Sequence, residues 1–451
     1  MATWSIHRQG AQMRDPLFLA QLGFATAAIG IIVAVTLQKT VRDPRLPVTA
    51  LLLSVGVIPA LIGVSLATSF HYDLANVWLG RVSTLLLVVA LGAGIFQATA
   101  SGITSVRQGR DLWLAAMAFS LTALVSEFVN GEFGPRSWVP VLGFTATYLA
   151  LAHPQWLLTQ AKRVAGLFVV GSAIAALVAP MAWTPYDASW IGMDERLQAL
   201  FRHPNSLGPA MLLYLILERA QPSRSWIRWS VGSTAFVLFI LAQSKTAWAA
   251  GLLVAAIFWA GQSRRNMWPR LAVAGLVGVA LVASVMLTDD AAELEAVDAE
   301  QLDTMRTLTG RTHVWAYGLE AWQRSPVTGG GWRVFNDFAE RTGQEWAGQA
   351  HNQYVQTLGR YGLLGLAGLL TYVVVLVRYG LRHAPATRYT SLALVGVALT
   401  RSITESALDG FGFEVFIVFA LLLAWERASA LEDDESLEAH AASPGRLPVP
   451  R

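Results

Sequence analysis

Four short segments of this chain hold residue types that can bind an anion or move a proton. The first is Phe201-Arg202-His203-Pro204-Asn205-Ser206-Leu207-Gly208. Pro204 and Asn205 suit a turn into a helix, with Asn205 or Ser206 as the N-cap. A helix start of that kind can hold an anion or a sugar, with Arg202 and His203 beside it. Alone, it also reads as a capped entry with two interfacial side chains. The second segment, Gln243-Ser244-Lys245-Thr246, sets an ammonium between hydroxyls inside an apolar stretch. Burying that charge is costly unless it is paired or faces water, so Lys245 is either a donor to a phosphate oxygen or a lysine snorkelling from a short loop.

The third segment, Thr309-Gly310-Arg311-Thr312-His313-Val314-Trp315, opens a predicted amphipathic helix whose apolar positions are Val314, Trp315, Tyr317, Leu319 and Trp322. Pro326 and Gly329-Gly330-Gly331 end it. Arg311 is the cation here, and His313 is a lesser candidate. The fourth segment, Ala350-His351-Asn352-Gln353-Tyr354, offers a histidine able to accept a proton near neutral pH, unless it is an ordinary surface residue of an amphipathic helix. Arg401 and Glu405 stand four apart in a later apolar run, where they read as an intramembrane ion pair. No P-loop, HExxH or metal-ligand cluster occurs, so neither nucleotide hydrolysis nor a metal or other cofactor is indicated.

These segments must be held by membrane helices. Of 451 residues, 54% are hydrophobic and 14% charged, where a soluble protein carries about a quarter charged. Apolar runs of about 18 residues or more recur from end to end, each long enough to cross a bilayer. The 17 tryptophans suit interfacial anchoring. There are no cysteines, which excludes disulfides and thiolate metal sites. The net charge of +3 resides mostly in basic connectors and signals topology, not nucleic-acid binding. The first 16 residues lack a cleavable signal pattern, so the first apolar run reads as a retained helix.

The expected fold is an all-α polytopic membrane protein with 12–13 transmembrane helices. Spans are predicted near 17–38, 46–70, 82–101, 111–129, 137–156, 164–183, 207–220, 229–243, 247–261, 271–288, 361–379, 389–408 and 412–425. A long extracytoplasmic helical loop, 288–360, separates the tenth span from the eleventh. Residues 1–287 then form the N-terminal bundle, 361–425 the C-terminal helices and 426–451 a disordered cytoplasmic tail. Alternate connectors hold Lys39/Arg42/Arg45, Arg107/Arg110, Lys162/Arg163, Arg219/Arg224/Arg228, Arg264/Arg265/Arg270 and Arg378/Arg382/Arg388. The positive-inside rule makes that set cytoplasmic and puts the four polar segments on the outer face.

Taken in order, His203 to Gly208, Ser244 to Thr246, Gly310-Arg311 with Trp315, the Pro326 and Gly329–Gly331 turn, and His351-Asn352 with Leu358 and Gly362-Leu363-Leu364-Gly365 resemble the O-antigen ligase and polysaccharide polymerase superfamily. The likeness covers roughly residues 200–370. Where the family commonly has arginine, this chain has Lys245, which keeps the charge and loses the bidentate fork. The resemblance implies a metal-independent glycosyltransferase of the bacterial inner membrane, its active site on the periplasmic face. Its donor would be a glycan on undecaprenyl diphosphate. The implied acceptor is a sugar hydroxyl, that of lipid A–core in lipopolysaccharide assembly or, for a polymerase, another lipid-linked glycan. His351 would be the base, with Arg311 and Lys245 stabilising the leaving diphosphate. Arg202, His203, Asn205, Asn352 and His313 would bind donor diphosphate or sugar. Protein O-oligosaccharyltransferases share these motifs. A secondary transporter is the rival from another class, and the gathering of polar residues at one face instead of the midplane argues against it.

Overall fold

Apolar runs bounded by Pro, Gly and charged residues fold as helices here, in a computed structural model that describes residues 45–58, 82–95, 108–150, 153–179, 182–185, 193, 195–201, 203–262, 270, 311–343 and 345–442. In chain order these helices are α1 (Leu46–Leu52, continued by a π turn, Leu53–Val57), α2 (Val82–Ile95), α3 (Arg110–Val129), α4 (Val139–Leu149), α5 (Pro154–Val178) and α6 (Pro204–Ala220). Then come α7 (Ser225–Leu241), α8 (Lys245–Ala260), α9 (Arg311–Arg324), α10 (Val334–Thr342), α11 (Gln353–His383), α12 (Thr390–Thr404) and α13 (Phe413–Ala442). One antiparallel pair, β1 (Trp183–Pro185) with β2 (Glu195–Leu197), sets Thr184 opposite Arg196. The spans expected at 17–38 and 271–288, and Arg202, lie outside the described residues.

Three of the described helices, α3, α5 and α11, are long and apolar enough to cross a membrane, and six shorter apolar helices accompany them. Their outward faces are greasy. Leu114, Leu121, Val125 and Phe128 on α3, and Leu167, Val170, Ile174 and Leu177 on α5, stand exposed at helical spacing. In water such stripes would be a liability, whereas against lipid they cost nothing. This is an all-α membrane protein.

The described residues from 47 onward build one large apolar core. At its centre the Phe144 ring of α4 meets Tyr372 of α11, Phe411 in the connector before α13, and Phe419 of α13, at centroid distances of 5.7, 5.1 and 4.9 Å. α11 runs along α3, while α8 packs on α12 and α6 on α7. The segment from α9 to the start of α11 builds a small core of its own from Val314, Ala321, Val334, Phe335, Ala347 and Ala350.

Three boundaries differ from expectation. α11 already begins at Gln353, eight residues before the span expected from 361, and continues through a break at Gly362 (φ 64°, ψ −158°). α12 stops at Thr404, so Glu405 lies beyond the helix in extended backbone instead of inside a span. The tail expected to be disordered from 426 continues α13 to Ala442. Its first residues are anchored: Glu426 accepts from Arg382 (2.8 Å) and pairs with His383 (2.9 Å), and Arg427 donates to the carbonyls of Tyr148 and Ala150.

Candidate active site

Five helix ends meet at one place: the N-termini of α6, α8, α9 and α11, and the C-terminus of α12. Each has a local cause. Pro204 at the first position of α6 leaves the capping role to His203, whose Nδ1 accepts from Asn205 N at 3.1 Å. That corrects the expected cap at Asn205 or Ser206. Ser244 caps α8, its Oγ accepting from Ala247 N at 3.3 Å, so Lys245 is the first helical residue. Gly208 lets the two starts touch, since a Cβ there would lie 2.6 Å from that of Ala247 and 3.2 Å from that of Ser244. Gln243, at φ 45°, donates from Nε2 to the Glu195 carbonyl at 2.8 Å and ties this turn to β2. Four N-termini bring partial positive charge to the same region.

The chemical centre is a histidine–carboxylate pair. His351 Nδ1 lies 2.9 Å from Glu405 Oε2, and both residues are buried, at 8% and 7% exposure. The second Glu405 oxygen, Oε1, accepts from Asn205 Nδ2 at 2.8 Å. Carboxylate oxygens only accept, so with Glu405 ionised the Nδ1 of His351 carries a hydrogen and donates to it. His351 sits in the left-handed region at φ 48°, an unusual conformation for a β-substituted residue. Asn352 locks it from the next position. Its Oδ1 caps α11 by accepting from Tyr354 N (3.0 Å) and Val355 N (3.1 Å), and its Nδ2 donates to the Ile403 carbonyl at 2.9 Å.

Cations surround the pair. Arg311 Nη1 donates to the Thr404 carbonyl at 3.4 Å, which places its guanidinium beside Glu405. Burial lowers its proton affinity and Glu405 opposes that. Burial would raise the Glu405 carboxyl, but the hydrogen bond and charge of His351, the charge of Arg311 and the amide of Asn205 hold it down at about 2. His203 is pushed down to about 4 by burial and then by Arg196, against the pull of Glu405. It is therefore neutral at neutral pH. Among the expected residues His351, Asn352, Asn205, His203 and Arg311 thus come together, and Lys245 starts the helix packed on theirs. His313 is exposed on α9.

Sequence reasoning missed Glu405 as the partner of His351. The i,i+4 pairing with Arg401 does not form, since Arg401 bonds Glu414 and Glu405 leaves the helix. It also missed the buried Arg360, which donates to Asp409 Oδ2 at 2.8 Å and to the Gly348 carbonyl at 3.3 Å while lying 4.0 Å over the Trp332 ring. Gln356 joins the same Asp409 oxygen and accepts from Ala350 N at 2.9 Å. Two acids in the short connector 405–412 were the available signal. The glycine turn acts through its backbone. Gly330 N and Gly331 N donate to the carbonyls of Gly359 and Arg360 at 2.9 and 3.0 Å, beside the break in α11. A Cβ on Gly329 or Gly362 would run into backbone there.

Residues 231–370 match the family described as O-antigen ligase. That interval holds Lys245, Arg311, the glycine turn, His351 and Asn352, and leaves out His203, Asn205 and Glu405. A General O-oligosaccharyltransferase of Acinetobacter baylyi is 26% identical over 233 residues, covering 47% of this chain and 40% of the relative. The chain thus spans well under half the length of that relative. From α7 into α11 the chain is thus similar to the O-antigen ligase family, which supports the resemblance to the O-antigen ligase and polysaccharide polymerase superfamily read from the sequence.

Proposed function

We propose that this protein transfers a glycan from undecaprenyl diphosphate to a hydroxyl acceptor, foremost lipid A–core, at the outer face of the bacterial inner membrane. The observation that carries the reading is the buried His351–Glu405 pair, set among helix starts with Arg311 alongside. In the reaction the acceptor oxygen attacks the anomeric carbon of the donor sugar. The bond from that carbon to the phosphate oxygen breaks, and its electron pair leaves with undecaprenyl diphosphate. The acceptor proton goes to His351 Nε2, and Glu405 stabilises the imidazolium through Nδ1–H. Charge grows on the departing diphosphate. Arg311 and Lys245 answer it, and preorganised donors of this kind contribute on the order of a few kcal/mol each. Asn205 serves the reaction by holding Glu405, and Asn352 by fixing the backbone under His351, both in place of the sugar contacts expected of them. The chemistry invokes no metal and no nucleotide sugar.

The relative in Acinetobacter baylyi is named an O-oligosaccharyltransferase, and the protein O-oligosaccharyltransferases that share these motifs point to a second acceptor, a hydroxyl on protein. A polymerase would use a second lipid-linked glycan. The test is a reconstituted assay with folded full-length protein in lipid nanodiscs and an undecaprenyl-diphosphate glycan donor. Lipid A–core, a Ser/Thr-bearing peptide or pilin, or further donor is offered in separate reactions. Glycosylated lipid A–core is the expected product. Product on peptide, or chain lengthening alone, would replace the ligase by the corresponding transferase. Intact donor in every reaction would overturn the transferase reading and bring the transporter forward.

A further inference from the structure

The first turns of α11 set three long polar side chains on one face, Gln353, Gln356 and Arg360, at i, i+3 and i+7. All three are buried, at 0%, 2% and 2% exposure. Gln353 Oε1 accepts from Leu408 N at 2.7 Å. Arg360 runs from Asp409 Oδ2 (2.8 Å) to the Gly348 carbonyl (3.3 Å). Gln356 spans the same gap one turn earlier: its Nε2 donates to Asp409 Oδ2, and its Oε1 accepts from Ala350 N. Its two partners are of opposite kind. A carboxylate oxygen only accepts and a backbone N–H only donates, so this position needs an amide.

Both ends of this bridge lead to the histidine–carboxylate pair. Ala350 precedes His351, and its carbonyl is held as well, by Trp315 Nε1 at 2.7 Å. His351 thus takes its left-handed backbone between two pinned neighbours, Ala350 and Asn352. At the other end Asp409 N closes a turn onto the Ser406 carbonyl at 3.4 Å, and Ser406 Oγ donates to Gln349 Oε1 at 3.0 Å. Glu405 is the next residue back. A slip at Ala350 or Asp409 therefore changes the spacing of His351 Nδ1 and Glu405 Oε2. We propose that Gln356 is a positioning residue of the transfer reaction: its amide ties the backbone before His351 to the connector that carries Glu405. The role rests on the transferase reading, and Gln356 acts only through the pair.

Gln356→Met keeps the length of the side chain and bonds neither partner. The full chain in nanodiscs is assayed for kcat and both KM values as wild type, Gln356→Met, Glu405→Gln and the double variant. Loss of a residue that orients the reacting group should lower kcat about tenfold. Both KM values should stay within about twofold of wild type, since no substrate contact is removed. With Glu405 already replaced there is no charged pair to position, so Gln356→Met should then cost less than about threefold. A purely structural amide would instead cost the same factor in either background. A crystal structure of Gln356→Met should show His351 Nδ1 and Glu405 Oε2 beyond hydrogen-bond distance. Should Gln356→Met not fold, Gln356→Asn, polar but one methylene short of its partners, takes its place under the same criteria. Unchanged kcat, an equal loss in both backgrounds, or an intact His351–Glu405 contact would overturn the positioning role. If the wild type consumes no donor, the transferase reading fails, and the contact in the variant structure alone decides whether Gln356 positions the pair.

Discussion

Two histidine–glutamate pairs among the described residues lie at 2.9 Å, and they differ in everything but that distance. His383 uses Nε2 and sits at the last position of α11, pairing with Glu426 of α13. The other Glu426 oxygen accepts from Arg382 at 2.8 Å, and Tyr379, one turn earlier, bonds Asp111 of α3. Every element of that cluster is helical, and the pair joins the ends of long helices. His351 uses Nδ1, comes from a left-handed residue between helices, and pairs with a glutamate that has just left its helix. Its carboxylate is steadied by an uncharged amide. A guanidinium bonded to one oxygen makes a closed ion cluster, whereas at Glu405 both oxygens are bonded by uncharged or imidazole donors and Arg311 acts on its charge only from alongside. The same contact is a splint in one place and, in the proposed reaction, a poised base in the other.

The sharpest way to break this contrast is to remove each imidazole. His351→Ala should lower glycan transfer by about 10²- to 10⁴-fold, the range over which a positioned general base acts. His383→Ala should retain most of the transfer rate and instead lower the thermal midpoint, the loss of its buried hydrogen bond costing about 1–3 kcal/mol. Rate measurements on purified variants, with Tm alongside, separate the two. Equal rate losses, or an active His351→Ala, would dissolve the distinction.

Removing charge without volume is subtler. A glutamine at 405 has a single oxygen for two donors, His351 Nδ1–H and Asn205 Nδ2, and it no longer balances an imidazolium. Glu405→Gln should cost on the order of 10- to 10²-fold in rate, as loss of an orienting partner does. Glu426→Gln faces the same shortage against His383 and Arg382 but should show it in Tm, with rate close to wild type. A Glu405→Gln protein that is slower only because it has lost folded material, seen as a matching fall in Tm, would make Glu405 a second splint.

The membrane helices and the outer motifs were legible in sequence because hydropathy and composition are local. α7, α8 and α9 begin within a few residues of the expected places. The cap at His203 was legible in principle, for a proline at the first helical position points to the residue before it. Glu405 was not. Its i,i+4 spacing from Arg401 suggests a helical pair, and no glycine or proline ends α12 at Thr404. Only the pull of His351 and Asn205, about 54 and 200 positions away, takes it off the helix. Glu426 and Arg427 look like the start of a solvated tail for the same reason: their partners come from α11 and from the carbonyls after α4. The glycine run reads as a helix terminator, while its second role, bonding the break in α11, depends on a strand of backbone thirty residues on.

The smallest expected effect lies in the acid response of the outer cluster. His203 titrates near 4 in the folded protein against an ordinary 6.5, so folding excludes a proton that the unfolded chain binds between those values. Its contribution to stability is intact above pH 6.5 and shrinks as pH falls towards about 4. Glu405, held at about 2 against an ordinary 4.5, acts in the same direction lower down, intact above 4.5 and fading towards 2. Across pH 6.5 to 4 the His203 effect should amount to on the order of 1–3 kcal/mol after discounting for its partial exposure, or a few degrees in Tm. His203→Asn keeps the cap and has nothing to titrate. Its Tm should therefore match the wild type at pH 7.5, gain on it steadily down to about pH 4, and stay a fixed interval ahead below that. Parallel curves for the two proteins over the whole range would mean that His203 is as easily protonated in the fold as out of it.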